Sequence, residues 1–184
     1  MTENLKVVLF TSRNKDNKHL EHFKQRSKTF LTTKDKDDKT LIDEFENWSE
    51  QGLYGETSRF YISVNSRDSD KINKAFVHYL LNNPQISPAS YPQRVASVAA
   101  KKENASEFKW LFDFDEKKEL IPEFISDIKN ESNLTDEEIE VSETVTGFAV
   151  IVKHGFDTRN IIKKWKNVEL KRDDMLLVDF LKNI

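Results

Sequence analysis

The chain contains no cysteine. That absence excludes disulfides, thiolate nucleophiles, zinc knuckles and iron–sulfur ligation together, and it suits a reducing compartment. Glycine and proline are scarce, with four of each in 184 residues. Gly52, Gly55, Gly147 and Gly155 supply no G-x-G-x-x-G, no P-loop and no Gly-x-Ser-x-Gly elbow. Long apolar runs are missing as well. The longest, Val7–Phe10 and Phe148–Val152, are strand-sized, far from the roughly 20 residues of a membrane helix. The opening Met1-Thr2-Glu3-Asn4-Leu5 lacks the basic and apolar regions of a secretory signal. The expectation is a cytoplasmic protein with no membrane partner. Neither sign of charge dominates, 29 basic against 32 acidic residues, so net charge gives no general argument for nucleic-acid binding.

What is present describes a folded chain: 37% hydrophobic and 33% charged residues, with 13 Phe. Its charge is uneven. Residues 1–39 hold ten basic and six acidic groups, residues 116–143 three and ten, and residues 153–172 seven and two. Alternation and β-branched or aromatic content predict strands near Lys6–Thr11, Lys28–Thr32, Arg59–Val64, Lys109–Asp115, Glu140–Glu143, Gly147–Lys153, Val168–Lys171 and Met175–Phe180. Helical spacing predicts helices over Lys39–Glu50, through Ile72–Leu80 and through Leu120–Ile128, with Pro122 in the first turn. Asp157 is placed to cap a short helix holding Ile161, Ile162 and Trp165. Asn82–Pro92, with three of the four prolines, reads as an irregular connection, and Lys34–Asp38 as a charged loop. Helices interleaved with short strands, and hairpins in the last third, predict one α+β domain over residues 1–184 with a mixed or antiparallel sheet.

The chemistry concentrates in Trp110-Leu111-Phe112-Asp113-Phe114-Asp115-Glu116. Residues i and i+2 of a strand share a face, so Asp113 and Asp115 project side by side while Phe112 and Phe114 face the helices. Two carboxylates this close repel each other unless a cation sits between them. Hard oxygen donors suit Mg²⁺ or Mn²⁺ with nucleotide phosphates completing the shell, the arrangement of metal-dependent nucleotidyl transfer.

A hydrophobic run ending in Asp-x-Asp, a following helix, a Gly-containing strand about forty residues on and an acidic strand start resemble the archaeo-eukaryotic primase–polymerase superfamily, in particular small primase-like phage proteins. The resemblance covers residues 59–180, leaving 1–58 as an N-terminal strand and helix extension, and it implies an RRM-like core. In that superfamily the first motif gives two metal-binding acids, the second a phosphate-contacting histidine and the third another acid. The resemblance thus implies metal-binding, catalytic roles for Asp113, Asp115 and Asp173, with Asp174 and Asp179 as rivals for the third. In Glu143-Thr144-Val145-Thr146-Gly147-Phe148-Ala149 the motif histidine falls on Ala149, while a second register uses His154 in Val152-Lys153-His154. Flanking residues favour the first. In that register the histidine is missing.

Other cations complete the expectation. Arg59 and Arg67 bracket a strand, and Arg67 stands at a strand-to-helix transition where phosphate contacts are common; with Lys153 and His154 it is a candidate phosphate ligand. Lys101, Lys102 and Lys109 precede the acidic pair. Alternating Phe60, Tyr61, Phe112 and Phe114 read as core rather than as bases for stacking. His19, His22 and His78 lack partners at zinc-ligand spacing. Two functions follow. One is a nucleotidyltransferase or nucleotide-binding protein using Mg²⁺ or Mn²⁺, a nucleoside triphosphate and nucleic-acid template or primer in a host bacterial cytoplasm. The other is a catalytically degenerate relative that binds a host or phage protein or nucleic acid.

Overall fold

A computed structural model of the protein describes residues 4–145 and 147–184; the residues Met1–Glu3, on which the N-terminal reading partly rests, and Thr146 lie outside it. In chain order the elements are β1 (Asn4–Ser12), β2 (Arg26–Thr32), α1 (Lys39–Glu50), β3 (Thr57–Ser63), β4 (Arg67–Asp68), α2 (Ser69–Asn82) and α3 (Tyr91–Ala99). Then come β5 (Lys109–Phe114), α4 (Ile121–Glu131), β6 (Ile139–Glu143), β7 (Phe148–Lys153), α5 (Arg159–Lys164), β8 (Val168–Arg172) and β9 (Met175–Lys182).

Two antiparallel sheets result. The first runs β2-β1-β3-β9, with β4 paired to the start of β1; the second runs β6-β7-β5-β8. Alternation in β1 explains the layering. Val8 and Phe10 join Phe45 of α1 and Phe60 of β3 in one cluster, while Val7 packs with Ile72 of α2 and Ala99 of α3 on the opposite face. Along β5, Leu111 turns toward the first cluster, together with Ala149 and Ile151 of β7. Phe112 and Phe114 turn the other way, onto Phe124 of α4, Ile161 of α5 and Trp165. The layers are therefore α2 with α3, the first sheet, α1 together with the second sheet, and α4 with α5.

Local chemistry sets the helix starts. The Asp38 carboxylate accepts from the Thr40 N–H at 2.9 Å to cap α1, and Asp68 accepts from Asp70 N–H and Lys71 N–H at 2.9 and 3.0 Å to cap α2. Asp157 accepts from the Arg159 N–H at 3.0 Å, but the N-cap of α5 is Thr158, so the expected cap stands one residue before the helix start. Pro122 falls in the first turn of α4, where its missing N–H removes no helical bond.

The structure differs from the sequence reading in three further places. The α+β class holds with purely antiparallel sheets, two in number rather than one. Tyr91–Ala99 is a helix that the sequence reading does not predict, and it takes Tyr91 and Pro92 from the expected irregular stretch, because Pro92 lies in the first turn, where a helix accepts proline without losing a bond. And Asp173-Asp174 is not a hairpin turn: β8 joins the second sheet and β9 the first, so these two residues cross between layers. No helix among the described residues is long and apolar enough to cross a membrane.

Candidate functional site

Where the layers diverge at the Asp113 end of β5 they leave a cleft of about 290 Å³, floored by the core residues Leu111, Ala149 and Leu176. Asp113 projects into it from β5, and opposite stand Arg13, Lys15 and Arg59, with Lys171 of β8 alongside. The Lys171 Nζ donates to Asp113 Oδ2 at 2.7 Å. Burial acts to lower the Lys171 pKa, but the hydrogen bond and charge of Asp113 outweigh it and raise it. Arg59 donates through Nε and Nη2 to the two Asp16 oxygens at 2.8 and 2.9 Å, and Arg13 Nε shares Asp16 Oδ2 at 2.9 Å. One carboxylate thus positions two guanidinium groups. Lys15 forms no ion pair among the described residues.

Asp115 lies just beyond β5, its N–H donating to Asn167 C=O at 3.0 Å. Burial and then the charge of Asp113 push its carboxyl up from the usual range, with Lys171 opposing and Glu169 adding to the rise. The two acids therefore lie near enough for one charge to act on the other, although Asp115 falls outside β5 and outside the cleft. Gly147 seals this end: a Cβ there would come within 2.6 Å of Phe114 C=O and 3.0 Å of Asp115 Oδ1. The Thr144 N–H donates to Gly147 C=O at 2.9 Å, closing the turn that presents Gly147. Any larger residue would crowd the acid.

The remaining expected site residues lie elsewhere. Register puts Asp113 opposite Ala149 and Glu169, but Trp110 opposite Arg172. Asp173 is therefore about four residues further along the ladder, about 13 Å at the rise of a strand. There it accepts a two-pronged bond from Arg67, Nη1 to Oδ2 and Nη2 to Oδ1 both at 3.0 Å, and a third bond from Asn65 Nδ2 at 3.0 Å. Both partners of the ion pair are buried, at 2% and 6% exposure. As a third acid beside the pair, Asp173 is thus corrected by the structure, because its oxygens are committed to Arg67 and Asn65. Arg67 is corrected likewise as a phosphate ligand, because a buried, paired guanidinium has no open face. Lys153 pairs with Glu138 at 3.6 Å, and His154 packs edge-on against Phe108 with ring centres 5.5 Å apart. Both stand at the far end of β7 from Ala149.

The donors present suit a single hard divalent ion: two carboxylates, one raised by the other's charge, beside an ammonium that already serves as counter-cation. Among the described residues no three His, Cys, Asp or Glu side chains stand close enough to hold a metal. Sequence reading missed Arg13, Lys15 and Lys171 as a group. Its one available signal was the basic excess of residues 1–39 and 153–172, the two segments the fold brings to this cleft. Phe60, Phe112 and Phe114 are fully buried, as their alternation predicts. The chain matches no protein-family model, no curated protein and no solved structure.

Proposed function

We infer that the cleft binds a nucleoside triphosphate together with a divalent cation, in the manner of a primase–polymerase-like protein of phage type. The observation that carries this reading is the charge gathered at the cleft, which Asp113 lines together with Arg13, Lys15, Arg59 and Lys171, while Asp115 lies just outside it and near enough for the charges of Asp113 and Lys171 to act on it. Polyphosphate needs cationic side chains for its oxygens and a metal for the charge they leave. The order of elements supports the same template: β5-α4-β6-β7-α5-β8, with spatial order β6-β7-β5-β8, is the split β-α-β pattern of RRM-like cores.

Asp113 and Asp115 would hold Mg²⁺ or Mn²⁺, which supplies neutralisation of phosphate charge and polarisation at phosphorus. Lys171 would move its ion pair from Asp113 to a phosphate oxygen, and Lys15 would meet a second. The cleft admits the phosphate tail, and the base extends beyond it. A second reading, a binding protein without turnover, is favoured by Ala149. It stands directly opposite Asp113, buried and without hydrogen-bonding capacity, where the family resemblance implies a histidine.

Titration calorimetry of single nucleoside triphosphates with and without Mn²⁺ tests both. Metal-dependent binding that Asp113→Asn/Asp115→Asn abolishes, in a variant that keeps the wild-type far-UV circular dichroism, supports the nucleotide site and licenses an assay for nucleotidyl transfer. Absence of binding under every condition overturns it in favour of the protein-binding reading. Binding without turnover supports the second reading on the same site.

A further inference from the structure

A different surface gathers four cations that form no ion pair among the described residues. Beside α5 and β8 lies an open concavity of about 930 Å³, lined by Lys163, Lys166 and Arg172 over Ile162, Val168 and Leu170. Arg172 also borders a second concavity of about 360 Å³ that holds Lys102, Phe108, Trp110 and His154. Arg172 is common to both, so the two concavities adjoin as a groove at the C-terminal end of β8. Three cations nearby are matched: Lys164 meets Glu123 and Asp127, Arg159 meets Asp157, and Lys109 meets Glu107. Lys102, Lys163, Lys166 and Arg172 form no ion pair or side-chain hydrogen bond among the described residues. Acids are few in these two concavities, although Phe108 and His154 also border a neighbouring one lined by Glu107, Glu137, Glu138 and Glu140. Glu169 is the one carboxylate lining the larger concavity and Asp173 the one lining the smaller, where Arg67 already holds it.

The aromatic content is equally specific. Phe108 is 44% exposed, His154 stacks edge-on to it, and Trp110 carries the Arg172 guanidinium 5.3 Å above its ring centre. Exposed rings between unpaired cations fit a chain of phosphates whose bases are free to stack. A duplex, whose bases are already stacked, cannot use the rings.

We propose that this groove binds a single-stranded polynucleotide, phosphates along Lys163, Lys166 and Arg172 and a base against Phe108 and His154. Alternation along β8 puts Val168, Leu170 and Arg172 on the side facing α5 and Glu169 and Lys171 on the Asp113 side. The groove is therefore separate from the nucleotide cleft and does not depend on it.

The test is fluorescence anisotropy of end-labelled dT12 and rU12 with the full chain at 50, 100 and 200 mM salt, which also tells DNA from RNA. Binding of either strand is expected, weakening steeply with salt. Lys163→Gln/Lys166→Gln/Arg172→Gln should reduce the slope of log affinity against log salt by about 2, from three lost phosphate contacts. Phe108→Ala should weaken binding at least about fivefold, with His154→Ala as the companion variant if Phe108→Ala loses its far-UV circular dichroism. Asp113→Asn/Asp115→Asn should bind the strand as the wild type does, so failure of the nucleotide site leaves this result readable. No binding of either strand at 50 mM salt overturns the proposal. So does an unchanged salt slope in the triple variant, or competition by a polyglutamate or a duplex as effective as that by unlabelled dT12.

Discussion

Asp173 shows what a single residue decides here. Its backbone is left-handed, with φ of 58°, a region that costs most residues free energy but that Asp tolerates better than most. The fold holds it there by the two-pronged bond from Arg67 and the third from Asn65. Asn65 in turn donates to Lys109 C=O at 3.2 Å and accepts from Lys109 N–H at 2.6 Å, so one buried polar group ties β4, the start of β5 and the β8–β9 crossing together. Removing one partner leaves a buried charge unpaired, which costs about 3–5 kcal/mol. Arg67→Met and Asp173→Asn should each lower unfolding free energy in urea by about that amount. Arg67→Met/Asp173→Asn should lose less than the two single losses added together. If Arg67 instead served a phosphate, Arg67→Met would weaken nucleotide binding and leave stability nearly unchanged. The sequence places Arg67 and Asp173 106 positions apart, and nothing local in either segment announces the pair. The Asp113–Asp115 pair was legible because strand periodicity links i to i+2 without any tertiary knowledge.

Between elements, Glu107 performs a similar service near the surface. Its Oε1 accepts from the Ser66 N–H at 2.9 Å, and its carboxylate meets Lys109 of β5 at 3.1 Å and Lys6 of β1 at 3.5 Å. Burial acts to raise its pKa, but the Ser66 and Lys109 hydrogen bonds prevail and hold it at about 2, against an ordinary 4.5. A depressed carboxylate stabilises the fold above its unfolded pKa and loses that contribution as pH falls toward the folded value. The contribution is on the order of 2 kcal/mol after screening at a side chain one-third exposed. The wild type should therefore exceed Glu107→Gln in unfolding free energy at pH 6–7, with the gap closing between about pH 4.5 and pH 2. A gap constant over that range would assign the effect to packing. Elements themselves were largely readable, since all eight strands expected from alternation occur. The partition of β8 and β9 between sheets was not, because two residues between strands look the same whether the chain returns beside itself or crosses to another layer. The helix Tyr91–Ala99 hid behind its prolines for an equally physical reason: Pro opens helices as readily as it breaks them.

At the scale of the whole molecule, the question is whether two sheets make one folding unit. Leu111, Ala149 and Ile151 of the second sheet lie in the same buried cluster as Val8, Phe10, Phe60 and Ile62 of the first. The Arg67–Asp173 pair and the Lys36 bond to Glu140 at 3.1 Å cross between them as well. The chain crosses from the first sheet to the second and back, since β9 closes the first after β5 to β8 have built the second. The first sheet is complete only once the chain has returned from the second, and the second, though its strands are contiguous, buries Leu111, Ala149 and Ile151 only against the first, so unfolding should be a single cooperative event. Tryptophan supplies the probes. Trp48 lies 5.9 Å from Phe10 against the first sheet, and Trp165 lies 5.4 Å from Phe124 beneath the second, its Nε1–H donating to Asp127. Two single-tryptophan variants, one keeping Trp48 and one keeping Trp165, should show urea transitions that each coincide with that variant's own far-UV circular dichroism, with equal slopes in the two. Leu111→Ala, placed in either background, should lower the midpoint of both probes together, by about 2–5 kcal/mol for a buried leucine between two layers. Fluorescence that parts from the circular dichroism in either variant, or a loss confined to Trp165, would mean that the second sheet unfolds alone. The cleft at Asp113 would then be a joint between two bodies instead of a fixed gap in one.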